Sequence, residues 1–478
     1  MERVQRTHEQ LKEIGQAHLL HFIAELSSEQ QTALIDQILS IDLKRVPWWV
    51  ENYVEKKPGF ELPPDIQPPQ WYPRHGENKQ RPYDEAKYRA AGEELLRNGK
   101  VAAFCVAGGQ GTRLGWDGPK GTYPSTPITN KPLFQLFAEQ IVHACRKYGV
   151  TIPLYIMTSP LNHEATVHFF RQHEFFGLDA AHVRFFMQGV LPSFDKETGK
   201  ILLAAKDQLA VNPDGHGGSL KALYDSASIS EMKAMGIEHI SYFQVDNPNV
   251  QIIDPLFIGL HATAPDSSGE MSSKMLPKTG PFEKLGNFCR IDDRTTIIEY
   301  SDLPKELAEQ RDEDGELVFR AGSTAIHMIG VKFVERLNTA EGGFALPLHR
   351  AEKKVAHIDL TTGERVDPSE PNAVKLETFV FDALPLCEQS LVYETDRVDE
   401  FAPVKNATGV DSIESSRELQ TERAARWLEA VGIKVPRKAD GTVDAVIEIS
   451  PLAAIQPNDL RDHPNLPKSI DPGAEVML

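Results

Sequence analysis

Cysteine is scarce in this chain. The four cysteines in 478 residues, at positions 105, 145, 289 and 387, form no CxxC pair and no short metal-binding spacing. That argues against a disulfide framework or a zinc site and leaves buried thiols as the expectation. Positive charge is also in deficit: 51 Lys and Arg stand against 69 Asp and Glu, a net charge of −18. Sequence-independent binding to nucleic acid or to an anionic membrane surface is thereby disfavoured, and an anionic substrate would need a local basic pocket. No apolar run reaches the length of a membrane span, and Glu2-Arg3-Val4-Gln5-Arg6 leads into a mixed-charge helix without an apolar signal core. A cytoplasmic protein is the expectation. No Gly-x-Ser-x-Gly elbow is present, and His163, His168 and His173 recur every five residues, a spacing that puts them on different faces of a helix.

What is present is ordinary globular composition, 41% hydrophobic and 25% charged, in a chain long enough for two or three domains. Residues 8 to 45 read as two helices, with Ser28-x-x-Gln31 as a capping box. Seven prolines between Pro58 and Pro82 forbid a helix or central strand there and predict an extended surface segment pinned by Trp71 and Tyr72. A helix from Asp84 to Asn98 follows. From Lys100 the pattern changes to short apolar runs, 101–107, 153–158, 183–188 and 239–245, separated by amphipathic stretches such as 133–145 and 220–235. Strands alternating with helices predict an α/β architecture with a mostly parallel sheet that binds ligands beyond the carboxyl ends of its strands. Turn signals stand at Asp292-Asp293 and Asp314-Gly315, and a helix and an alternating strand after about Asn406 predict a small C-terminal appendage.

The most informative segment is Val106-Ala107-Gly108-Gly109-Gln110-Gly111-Thr112-Arg113-Leu114-Gly115, directly after a buried strand, with Pro119-Lys120-Gly121 close behind. Glycines let backbone N–H groups approach an oxyanion, and Arg113 and Lys120 supply positive charge, so the loop reads as a polyphosphate cradle; the alternative is a glycine-rich turn with two surface cations. No Gly-Lys-Ser/Thr closes a Walker loop, and Leu114 occupies the place of the third glycine of a dinucleotide fingerprint. Asp246 ends an apolar strand, where a lone Asp is more often an N-cap or turn residue; the alternative is a ligand for Mg²⁺, a hard cation that needs few protein groups when phosphates supply the rest. Asp246-Asn247-Pro248 does not provide the Asp-x-Asp pair expected of a glycosyltransferase on a related sheet.

These segments, together with Met187-Gln188-Gly189, Asp214-Gly215-His216-Gly217-Gly218, Val245-Asp246-Asn247, Glu299-Tyr300-Ser301, Ala321-Gly322-Ser323, Phe379-Val380-Phe381-Asp382 and Phe401-Ala402-Pro403-Val404-Lys405-Asn406, resemble the ordered motifs of the UDP-sugar pyrophosphorylase (UTP:sugar-1-phosphate uridylyltransferase) family, particularly its UDP-N-acetylhexosamine branch. The resemblance implies a Rossmann-like (GT-A-like) nucleotidyltransferase fold, a mixed, mostly parallel sheet flanked by helices. The pattern along the chain divides it into a helical and Pro-rich segment (1–99), a catalytic domain (100–406) and a small C-terminal domain (407–478), and the helical start and C-terminal domain are similar to the family's layout. The resemblance also implies conversion of UTP and a sugar 1-phosphate, N-acetylhexosamine 1-phosphate being the first candidate, into UDP-sugar and pyrophosphate. A catalytically silent UTP- or UDP-sugar-binding sensor is the alternative.

By the same resemblance, Ala107, Gly108, Gly109, Gly111, Lys120, Gln188, Gly215, Asp246 and Lys405 would bind UTP, with Gln188 and Gly215 against the uracil. Arg113, Lys120 and Lys405 would be the catalytic cations, and Asp246 would hold Mg²⁺ as cofactor. His216, Glu299, Tyr300, Ser323, Phe379 and Phe381 would line the sugar. The branch usually carries Asn where this chain has His216 and Ser323, and a site built to hydrogen-bond one sugar substituent discriminates against others, so the sugar stays open. The implied partners are small molecules, with no nucleic acid and no membrane.

Overall fold

The computed structural model describes residues 2–57, 59, 62–341, 343–461 and 463–478; Pro58, the first of the prolines counted above, lies outside them. The chain divides into two compact units that interleave along the sequence, where the sequence reading drew three consecutive segments. One unit comprises Met1–Glu61, Gln188–Ser219 and Leu346–Val380, and the other Leu62–Met187, Leu220–Ala345 and Phe381–Leu478.

In the first unit the helices Glu2–Glu13 and Ser28–Ser40 do not form a free-standing preface. Their apolar faces, Leu11, Leu34, Ile35 and Ile38, share one core with Phe194, Ile201, Leu209, Val374 and Leu376. Gln16 secures the arrangement: its amide donates to the Gly199 carbonyl at 3.1 Å and accepts from Ile201 N at 2.9 Å. The capping box lies one residue earlier than the sequence suggested, with Ser27 and Gln30 exchanging bonds. The strands Phe194–Asp195, His349–Lys353 and Ala373–Glu377 form a three-stranded antiparallel sheet, and Val190–Pro192 pairs with Val211–Pro213.

The second unit carries, among the described residues, a nine-stranded sheet: β1 Val101–Val106, β2 Leu154–Thr158, β3 Val183–Met187, β4 His239–Gln244, β5 Met271–Pro277, β6 Asn287–Ile291, β7 Arg294–Ile298, β8 Ala321–Gly330 and β9 Val392–Glu394. The order is β7-β6-β8-β4-β1-β2-β3, with β5 joining β8 to β9. Strands β4, β1, β2 and β3 run parallel to one another, as the strand–helix alternation predicts, while β6, β7 and β8 form an antiparallel extension. The β6–β7 turn is Asp292-Asp293, both with positive φ, the geometry of a tight two-residue hairpin.

Helices α1 Glu85–Arg97, α2 Leu133–Tyr148, α3 His163–Gln172, α4 Pro255–Thr263 and α5 Ile413–Ala430 belong to the same unit. Asp84 caps α1 by accepting from Lys87 N. Helices α1 and α4 approach through Gly92 and Gly259: a Cβ on either would lie 1.8 Å from a carbonyl oxygen of the other helix. The stretch 220–235 is not one helix, because Ala227 has a φ of 61° and separates Gly218–Asp225 from Ser228–Ala234. The proline-rich segment is extended and pinned as expected: Tyr72 exchanges backbone bonds with Val392 and Glu394, and Trp71 Nε1 donates to Glu394 at 3.0 Å. After α5, Ala445–Glu448 pairs with Ala474–Met477 over a local core of Ala425, Leu428, Ile447 and Leu460.

Candidate functional site

Strand β1 is buried along most of its length and delivers the glycine loop to the carboxyl edge of the parallel strands. The loop closes on itself: Gly111 N donates to Gly118 O at 2.9 Å and Lys120 N to Gly109 O at 3.1 Å. Gly111 is required sterically, since a Cβ there would come within 2.7 Å of the Trp116 side chain. Gly121 faces a tighter limit, with the Phe134 ring 2.2 Å from the place of a Cβ. The loop's fold brings the aliphatic stem of Lys120 across Gly109, with Cδ 4.0 Å from where a Cβ would stand. Ala107 is buried and donates to Met157 O at 2.8 Å, which fixes the start of the cradle.

Asp246 follows β4 by two residues, and Val245 N bonds Val106 O at 3.1 Å, so the carboxylate and the glycine loop leave adjacent strands side by side. Lys120 Nζ stands 3.7 Å from Asp246 Oδ2. The Lys120 ammonium is held below its ordinary pKa chiefly by burial, against the pull of Asp246 and with the repulsion of Lys405 and Arg113 added. The three expected cations and the expected carboxylate therefore share one electrostatic environment. Val404 N donates to Asp246 O at 2.8 Å, which carries Lys405 to this edge, and Lys405 N in turn bonds Asp411 O at 2.7 Å. Neither Arg113 nor Lys405 forms an ion pair among the described residues, which leaves two guanidinium or ammonium groups available to an external anion.

Glu299 and Ser323 converge on Gly286: a Cβ there would lie 3.6 Å from Glu299 Oε1 and 3.9 Å from Ser323 Cβ. Tyr300, next to Glu299, is 46% exposed, and Phe381 sits at the start of the unit's last segment.

Within the other unit, Gln188 Nε2 donates to Gly215 O at 2.9 Å, so these two expected residues are in direct contact. Gly215 has φ +84°, and a Cβ there would meet Thr378 O at 2.2 Å, which excludes any larger residue. His216 accepts Val380 N at Nδ1 (3.1 Å), an arrangement that leaves the neutral ring's proton on Nε2. Burial, with repulsion from His349, pushes its pKa down to about 4. The Phe379 ring stacks with both imidazoles, its centroid 5.3 Å from that of His216 and 4.4 Å from that of His349.

Two features of the phosphate side escaped the sequence reading. Asn162, fully buried just before α3, donates to the carbonyls of Ala107 and Gly109 at 3.0 and 3.1 Å. Glu448, in the C-terminal region, accepts from Ile128 N and Thr129 N at 2.9 and 2.8 Å and latches the loop that follows Lys120. Neither stands in a local pattern; the signal for Asn162 is a lone amide residue between a strand and a helix.

Comparison with known proteins matches residues 64–425 to the family model described as UTP–glucose-1-phosphate uridylyltransferase. The chain is 35% identical over 439 residues to the UDP-N-acetylglucosamine pyrophosphorylase of Saccharomyces cerevisiae, covering 88% of this chain and 90% of that one. It is 34% identical to the human UDP-N-acetylhexosamine pyrophosphorylase-like protein 1, covering 93% and 91%. Among solved structures, the putative UDP-N-acetylglucosamine pyrophosphorylase of Entamoeba histolytica aligns with TM-score 0.74 at 28% identity over 87% of this chain and 100% of that one. The Trypanosoma brucei uridine diphosphate N-acetylglucosamine pyrophosphorylase aligns with TM-score 0.81 at 24% identity over 100% and 98%, a likeness of fold. Among the described residues no helix is long and apolar enough to cross a membrane.

Proposed function

Because the chain belongs to the UTP–glucose-1-phosphate uridylyltransferase family, we propose that it joins UTP to a sugar 1-phosphate, with N-acetylhexosamine 1-phosphate as the preferred sugar. A phosphate oxygen of the sugar 1-phosphate attacks the α-phosphorus of UTP. The bond from that phosphorus to the bridging oxygen breaks, and pyrophosphate leaves with the electron pair. No protein nucleophile is needed, so positioning and charge stabilisation supply the rate. The single observation that carries this reading is the convergence of Lys120, Arg113, Lys405 and Asp246 at the glycine loop.

In this reading the loop amides hold the phosphates, Arg113 takes the departing pyrophosphate, and Lys120 and Lys405 offset charge at the reacting phosphoryl group. Gln188 and Gly215 read the uracil edge. His216, Glu299, Tyr300, Ser323, Phe379 and Phe381 are the sugar contacts. Asp246 suits Mg²⁺: a carboxylate beside the glycine loop, 3.7 Å from Lys120 Nζ, fits an ion that draws most of its shell from phosphates and water. When bound there, Mg²⁺ would supply further neutralisation of the polyphosphate. The same reading makes the protein cytosolic, a compartment in which its unpaired cysteines stay reduced.

The test is pyrophosphate release from UTP with a panel of sugar 1-phosphates. Release is expected to be fastest with N-acetylhexosamine 1-phosphates; binding of UTP without release from any sugar would replace the enzyme with a sensor.

A further inference from the structure

We infer that Asn162 is a positioning residue that aims the glycine loop's amides at the nucleotide phosphates; this rests on the uridylyltransferase reading above. The Asn162 side chain is 1% exposed and fully committed. Its Nδ2 donates to Ala107 O (3.0 Å) and Gly109 O (3.1 Å), while Oδ1 accepts from Ser159 N (2.8 Å) and Ser159 Oγ (3.1 Å). The reverse amide orientation would face Oδ1 against two carbonyl oxygens and Nδ2 against an N–H, so the network fixes the flip.

The consequence follows from peptide geometry. In a trans peptide the carbonyl of one residue and the N–H of the next point in opposite directions, and the described residues contain no cis bond. Drawing the Ala107 and Gly109 carbonyls inward to Asn162 therefore turns the N–H groups of Gly108 and Gln110 outward. Among the described residues, the N–H groups of Gly108, Gly109 and Gln110 donate to no protein acceptor. Consecutive amides of this kind form an anion-binding concavity, and here they lie on the loop that carries the Lys120 stem. Asn162 touches no phosphate in this arrangement. It acts by holding two carbonyls away from the anion, which would otherwise meet their negative ends. Lys120 N helps at Gly109 O (3.1 Å), but within the loop Ala107 O depends on Asn162.

The experiment is steady-state kinetics of the full chain with Asn162→Ala, Asn162→Asp and the milder Ser159→Ala, measured with UTP and with the sugar 1-phosphate varied separately. The losses of one or two buried hydrogen bonds correspond to a rise of about 10- to 100-fold in the KM for UTP for the Asn162 variants. The KM for the sugar 1-phosphate should change less than about twofold, and Asn162→Asp should be worse than Asn162→Ala because its carboxylate repels both carbonyls. An unchanged KM for UTP in folded Asn162 variants overturns the inference, as does an equal rise in both KM values. If neither Asn162 variant folds, Ser159→Ala decides: a raised KM for UTP alone supports the role, and wild-type kinetics refute it. A wild-type protein that releases no pyrophosphate from any sugar would instead remove the functional reading, so the two failures are distinguishable.

Discussion

Replacing Lys120 by Met keeps the aliphatic stem that crosses Gly109 and removes only the ammonium. That group is 14% exposed, stands 3.7 Å from Asp246, and is kept below its ordinary pKa by burial first and by Lys405 and Arg113 in addition. Deleting one charge-stabilising donor from a partly dehydrated site costs about 3 kcal/mol in the transition state, or roughly 100-fold in kcat. Two cations remain, so catalysis is weakened rather than abolished. The lowered pKa adds a pH signature. Activity that needs the charged ammonium is complete at low pH and is lost as pH rises through the depressed value, so the alkaline limb should lie below that of an ordinary lysine. Lys120→Arg, charged throughout the accessible range, should move the limb upward while keeping part of the rate. The assay is initial-rate pyrophosphate release at saturating substrates over an alkaline pH series. A Lys120→Met enzyme within threefold of wild type, or an alkaline limb unmoved by Lys120→Arg, would refute the role given to this side chain.

Lys274 is fully buried with Nζ 2.7 Å from Asp254 Oδ2 and 2.7 Å from both Glu400 oxygens, and Asp254 also caps α4. Lys274→Met strands two carboxylates and should destabilise the fold by about 3–5 kcal/mol in urea unfolding. In the first unit, His216 stays neutral down to about pH 4. The unfolded chain takes up a proton near pH 6.5 that the native chain refuses, so stability should fall as pH drops from 6.5 toward 4, by up to about 3 kcal/mol. His216→Asn should flatten that fall in acid denaturation and shift substrate preference toward N-acetylated sugar phosphates; an unchanged sugar ranking would show that His216 is not the selector. Gly121→Ala places a methyl against the Phe134 ring and should cost about 1–3 kcal/mol, read as a lower thermal midpoint, with a loss of kcat as Lys120 is displaced.

The parallel strands and the glycine loop were legible because their signals are local: short apolar runs, glycines where backbone crowding demands them, and cations a few residues away. β1, β2, β3 and β4 fall within a residue or so of the apolar runs that announced them. What the sequence hid depends on distant partners. The faces of the first helices are plainly apolar, yet nothing local says that they meet Phe194, Ile201 and Leu376. Ala227 reads as a good helix residue but adopts the left-handed region and breaks its helix. Asn162 holds carbonyls more than 50 residues earlier in the chain, and Glu448 latches a loop more than 300 residues away. The hydrogen-bonded Gln188–Gly215 pair shows the intermediate case: each residue stands in a recognisable motif, but only the fold shows that they touch.

The most direct measurement is the reverse reaction: labelled pyrophosphate, UDP-N-acetylglucosamine and Mg²⁺ incubated with the purified protein, giving UTP and the sugar 1-phosphate. Cations that grip a triphosphate for in-line displacement should carry the label into UTP, and Lys120→Met should slow that transfer about 100-fold. Tight binding of the UDP-sugar with no label entering UTP would contradict it.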